Sequence, residues 1–213
     1  MGKKTVLFTI LLFACIQSYT QTGKIQFQAS YDQVFFPFYN YDYNENGFSY
    51  KLSGDVTYYI SKWFSISSGF SYESNKFKVV YPPSNTSALR LVEEKYDYSY
   101  VGIPLIFGFD LWNAESQTLA IRSGFELIRL IDAYSVLTYS DGSTISRQID
   151  SESIKYANCF SFGVKYCYFL SPKLFIGITP KVRYNLSSHM NSNEGSRALS
   201  YLLHLSIGYE LTK

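Results

Sequence analysis

The stretch Tyr201-Leu202-Leu203-His204-Leu205-Ser206-Ile207-Gly208-Tyr209-Glu210-Leu211 decides the fold. Its odd-numbered residues are all apolar or aromatic, and from His204 onward the even-numbered ones are small or polar. Side chains along a strand alternate between faces with a period of two, so this is a β-strand with one greasy side and one wet side. Working outward, the same pattern recurs over residues 24–33, 47–60, 63–75, 95–109, 117–134, 152–170, 173–187 and 197–211. Most of these exceed the roughly 9–11 residues that a tilted strand needs to cross a bilayer. The connections alternate in length. Ser61-Lys62, Leu111 to Ser116 and Ser171-Pro172 are short, whereas 33–46, 76–94, 135–151 and 188–196 are long. Short turns at one end and long loops at the other, with an even strand count, are the pattern of outer-membrane barrels. The expected fold is all-β, an eight-stranded antiparallel up-and-down transmembrane β-barrel over residues 21–213.

Alternation alone does not say which face is outside, because a soluble lipocalin-like barrel has the same period. Volume decides. The apolar face carries about forty bulky side chains, and an eight-stranded barrel is only just wide enough for its own interior residues. The opposite face carries Lys51, Asp55, Glu73, Arg122, Glu126, Lys165, Lys181 and Arg183 among glycines such as Gly102, Gly108 and Gly177. Glycine within a strand marks close approach by another group, as a narrow polar lumen requires. These eight charged residues are therefore expected to form an internal network, with Arg122, Lys181 and Arg183 pairing with Asp55, Glu73 or Glu126. Pro104 and Pro180 fall within strands and cannot donate a ladder hydrogen bond, so each is expected to mark a β-bulge.

Composition agrees with a membrane address. There are 21 Tyr, 17 Phe and 2 Trp, and charged residues make up only 17% of the chain, against about 25% in typical soluble domains. Lys3 and Lys4 followed by the apolar run 6–16 read as a signal peptide over residues 1–20, too short to span as a helix. Leu12-Phe13-Ala14-Cys15 approximates a lipoprotein box that Phe13 fits poorly. Without the leader, basic and acidic residues balance, so no electrostatic footprint for nucleic acid exists. Cys159 and Cys167 share one face of one strand about 26 Å apart, beyond disulfide reach. Trp63 and Trp112 fall at short-turn ends, where interfacial aromatics sit.

Candidate chemistry is sparse, and no catalytic, cofactor or metal residues are assigned. His204-Leu205-Ser206 is similar to the His-x-Ser pair of lipid A deacylases, but it faces the lumen, with Glu210 about 20 Å further along the strand. Asp42 to Gly47 matches half of a calcium loop, and Ser53 stands where the bidentate Glu belongs; a polar turn into the second strand is expected instead. Asp141-Gly142 signals a tight turn at the tip of a hairpin projecting from strands five and six. Phe35, Phe36, Phe38 and Tyr39 form a candidate contact loop, or else extend the aromatic girdle.

The segment Tyr100-Val101-Gly102-Ile103-Pro104-Leu105-Ile106-Phe107-Gly108-Phe109 resembles the PorT-like outer-membrane barrel family of the Bacteroidota. Ser171-Pro172-Lys173, Gly177-Ile178-Thr179-Pro180 and Gly208-Tyr209 are also similar. That resemblance implies an eight-stranded barrel of a Gram-negative outer membrane. Some members serve the type IX secretion system, and the family has no catalytic residues to transfer. The expected role is a non-enzymatic surface or scaffold barrel, or an accessory to secretion or envelope assembly, with both termini periplasmic. Its expected partners are outer-membrane lipid and an envelope or secretion protein. An outer-leaflet lipid-modifying enzyme and a soluble binding barrel are the alternatives.

Overall fold

The strands are long because alternation is nearly unbroken and the turn residues fall between them. A computed structural model describes residues 23–35, 44–46, 48–81, 90–149, 156–186 and 199–211. The expected signal peptide and Phe36, Phe38 and Tyr39 of the expected contact loop lie outside these. Among the described residues ten strands are formed: β1 (Ile25–Phe35), β2 (Asn44–Asn46), β3 (Ser49–Tyr59), β4 (Phe64–Val80), β5 (Leu91–Asn113), β6 (Gln117–Tyr139), β7 (Thr144–Gln148), β8 (Tyr156–Phe169), β9 (Leu174–Asn185) and β10 (Leu199–Leu211). Each pairs antiparallel with its sequence neighbour in the ring β1-β3-β4-β5-β6-β8-β9-β10, and β10 returns to β1, as at Ser30↔Ser206, closing the barrel.

The apolar face points outward. Leu203, Ile207 and Ile176 are 37%, 52% and 43% exposed, while the residues between them along β10 are buried. A water-exposed surface of this character would be untenable, so the eight-stranded ring is a transmembrane β-barrel. Tyr201 and Tyr209 bracket Leu203, Leu205 and Ile207 on β10, and exposed Trp63 and Trp112 lie at the short-turn end. These are the aromatic girdles that flank an apolar band.

At the long-connection end the ring grows a one-sided extension. β4, β5 and β6 run on past the barrel, and β5 and β6 stay paired as far as Leu91↔Tyr139. β2 adds to β4 along one margin and β7 to β6 along the other. The hairpin foreseen at Asp141-Gly142 is present: Gly142 has φ 83°, open to glycine without strain, and Asp141 accepts from the Ser143 amide at 2.8 Å. Asn44 to Asn46 is a short strand on β4 and not the polar turn that composition suggested.

The two prolines correct the sequence reading. Register is identical on either side of each, so neither marks a bulge. Instead, the ladder is interrupted between Ser68↔Leu105 and Ser71↔Gly102 beside Pro104, and between Gly163↔Lys181 and Tyr166↔Ile178 beside Pro180. A missing N–H removes a bond without adding a residue. The irregularities of register lie elsewhere, in β5–β6, between Ser99 and Tyr100 for example.

Candidate functional site: the charged lumen

The inward positions of the ring hold a column of paired charges. Near the short-turn end Lys24 bonds Glu210 at 2.8 Å and lies 4.6 Å from the Tyr59 ring. Phe175, fully buried, forms an aromatic floor with the Lys165 ammonium 5.0 Å from its centroid. Above it, the Arg122 guanidinium donates to Ser65 at 2.7 Å and approaches Asp110 at 4.0 Å. Gly108 makes room for that guanidinium: a Cβ there would lie 2.1 Å from Arg122 Nη1. Lys165 donates to Gln28 at 2.5 Å.

The middle layer joins strands across the barrel. The Lys51 ammonium bonds Glu126, which also accepts from Ser71 at 2.6 Å. His204 Nδ1 meets Asp32 at 2.5 Å, and Lys181 stands 3.6 Å from the same carboxylate. Higher still, Arg183 forms a bidentate pair with Glu73 and donates to Ser200 at 3.1 Å. Tyr100, Ile128, Leu130, Ala133 and Cys159 cover this pair with an apolar lid. Cys159 and Cys167 are free and buried, as their spacing requires.

All eight expected network residues therefore face the lumen, but the pairing differs in part from expectation. Arg183 takes Glu73 as foreseen. Lys181 takes Asp32 and Arg122 leans on Asp110, two acids that alternation had not singled out. Asp55 makes no ion pair within the described residues, and its Oδ1 lacks a partner. It borders a cavity of about 40 Å³ with Lys165, Thr179, Lys181, Arg122 and His204. Thr179 Oγ1 and Arg122 Nε are also unsatisfied there. A polar void of this size holds a few waters, which would satisfy these atoms.

Phe35 is the only described member of the expected contact loop, and it is half-exposed at the end of β1 opposite Tyr201. His204 and Ser206 do share the lumen face, but His204 Nε2 lies 3.1 Å from Gln28 Nε2, while the Ser206 hydroxyl donates to the Gly177 carbonyl at 3.4 Å. Base and hydroxyl are turned to different partners, not to each other.

The extension has its own electrostatics. The Glu93 carboxyl is held below the usual range by a hydrogen bond from Lys95, with Lys78 adding to it. Lys76 is pushed up by bonding to Asp97 at 2.8 Å. On the face toward the barrel axis Phe77, Tyr96 and Tyr98 stack at 4.7 to 6.0 Å between centroids. The Arg147 guanidinium folds onto that face, donating to Ser135 at 3.1 Å and Glu94 at 3.3 Å.

Fold and lumen define the class, a small transmembrane β-barrel whose interior is filled by its own charges. No family model matches the chain, and no curated protein matches it. Among solved structures it is similar to the N-terminal β-barrel domain of OprF from Pseudomonas aeruginosa, at 10% identity over 90% of this chain and 100% of that one, with a TM-score of 0.49. A major outer membrane protein from Thermus thermophilus aligns at 13% identity over 88% and 99%, TM-score 0.49. Ail, the attachment invasion locus protein of Yersinia pestis, aligns at 12% over 89% and 99%, TM-score 0.43. The fold assignment stands on the closed ring of strands itself.

Proposed function

We propose that this chain is a small outer-membrane β-barrel protein of a Gram-negative cell, acting as a non-enzymatic surface or scaffold element and serving as an accessory to secretion or envelope assembly. The observation that carries the reading is that most of the lumen charges neutralise one another inside the wall: Lys51 with Glu126, Arg183 with Glu73, Lys181 and His204 with Asp32. Groups committed to one another in this way are unsuited to binding a substrate or passing ions. What remains for interaction is the surface beyond the membrane. The long-connection extension then faces the cell exterior and the short turns, with both termini, face the periplasm. Strand β5 carries the PorT-like segment, which supports a place among the Bacteroidota barrels and an envelope or secretion protein as partner.

The test is a pull-down from gently solubilised native membranes, with the mass of lipid A compared in cells with and without the protein. Recovery of a stoichiometric envelope protein with lipid A unchanged supports the proposal. A shift in lipid A mass that disappears in His204→Ala makes the chain a lipid-modifying enzyme and overturns it.

A further inference from the structure

We propose that β7 is a docking edge for a second copy of this chain in an apposed membrane, the two β7 strands pairing antiparallel about Ser146. Among the described residues the extension is an open sheet, and β7 is one of its two margins, with no strand paired to its far side. Tyr139 donates to the Ser143 carbonyl and Ile149 to the Ala133 carbonyl, both at 2.9 Å. Odd-numbered residues therefore spend their amides on β6. In an antiparallel ladder the alternate residues point their N–H and C=O the other way, so Thr144, Ser146 and Gln148 present theirs to the open side. All five residues of β7 are exposed, and Ile145 is 54% exposed.

Natural edges are guarded by charge, proline, bulges or covering segments. This one has no proline, no register shift against β6 and a single charge. That charge, on Arg147, is drawn aside onto Glu94 and Ser135. Unpaired donors and acceptors in alternation are matched by another extended backbone, the mode known as β-augmentation.

A second copy fits by its pattern. With Ser146 facing Ser146, Thr144 faces Gln148 and Ile145 faces Arg147, so no like charges oppose each other. Geometry also selects the arrangement. Barrel strands tilt about 35–45° from the membrane normal, so two copies in one membrane, related by an axis along that normal, would cross their β7 strands at about 70–90°. Antiparallel alignment inverts one copy and places it in a facing membrane. Reach is sufficient: β6 has 23 residues, roughly 75 Å of strand at about 3.3 Å each, which at that tilt spans about 55–60 Å along the normal against an apolar band of about 25 Å. One five-residue edge is a small contact, so attachment depends on many copies acting together between two surfaces.

The inference rests on the proposed orientation, with the extension outward, and the experiment separates the two. The full-length mature protein is reconstituted into two differently labelled phosphatidylcholine vesicle populations, and vesicle docking is read by energy transfer. Ser146→Cys, reacted with a membrane-impermeant maleimide, reports which end faces out. The expected result is outward labelling, docking of wild-type vesicles, and at least a tenfold loss of docking in Ser146→Pro and in Ser146→Lys. Ser146→Pro removes a free amide, and Ser146→Lys opposes like charges without altering the backbone. A short bismaleimide should also link Ser146→Cys to its counterpart between populations. Outward labelling without docking, or docking indifferent to both substitutions, overturns the pairing alone. A label that reaches Ser146→Cys only after detergent, in intact cells as in vesicles, overturns the orientation and the pairing with it.

Discussion

Arg183 and Glu73 show what a buried charge requires. Truncating one partner leaves the other uncompensated, at a cost of about 3–5 kcal/mol. Glu73→Ala should lower stability by that amount in urea unfolding from lipid vesicles, whereas Glu73→Leu combined with Arg183→Met should recover most of it. Gly108→Ala tests close approach. Its Cβ would meet Arg122 Nη1 at 2.1 Å and Ser65 Oγ at 2.5 Å. The guanidinium can swing away only by leaving Ser65, so a loss of about 1–3 kcal/mol is expected in the same assay. At this scale the sequence was informative about sides and silent about partners. Parity placed all eight charged residues inside, and it would also have placed Asp32 and Asp110 there, being even-numbered on strands whose other even positions face inward. Which acid meets which base depends on the stagger between strands. His204 finds Asp32 only because β1 and β10 close with those two residues opposite each other.

The strands were legible because alternation in a lipid-facing wall is nearly free of exceptions. Observed ends differ from expectation mostly by a few residues. The larger differences are at the long-connection end, where β4, β5 and β6 continue beyond the apolar band. There the outward residues turn charged, as at Lys76, Lys95 and Asp97, and no longer look like a membrane strand. Leu205 lies midway between Tyr201 and Tyr209 on the outer face of β10. Leu205→Arg should therefore cost about 2–4 kcal/mol in folding into bilayers, the value expected near the midplane. The extension should respond to acid before the barrel does. Because the Glu93 carboxyl is lowered from 4.5, its contribution is fully present above about pH 4.5 and is lost as pH falls through the lower folded value. Hydrogen exchange measured near pH 3 should show β4 and β5 amides near Lys78 and Glu93 opening while β9 and β10 stay protected.

The molecule as a whole is a closed cylinder with a sheet standing on one part of its rim. The floor at Phe175, the charge layers and the lid at Tyr100 fill the described lumen, so planar-bilayer recordings should show no large, stable conductance. A steady open level of the kind porins give would mean that the lid moves. Closure and orientation could be derived from volume, since so many bulky side chains cannot fit within eight strands. The pairing proposed for β7 could not, because an edge that would pair by its backbone leaves almost no signature in side-chain composition.

The interrupted ladders beside Pro104 and Pro180 have a mechanical meaning. They lie in the β4–β5 and β8–β9 seams, so β5, β6 and β8 form a panel of the wall bounded on each flank by a perforation. The tall hairpin is built on the same panel. A tug on its tip is therefore carried into strands whose flanking ladders each have a gap, and slippage would start at those two places, although the β4–β5 seam stays paired from Ser71↔Gly102 to Val80↔Glu93 above its gap.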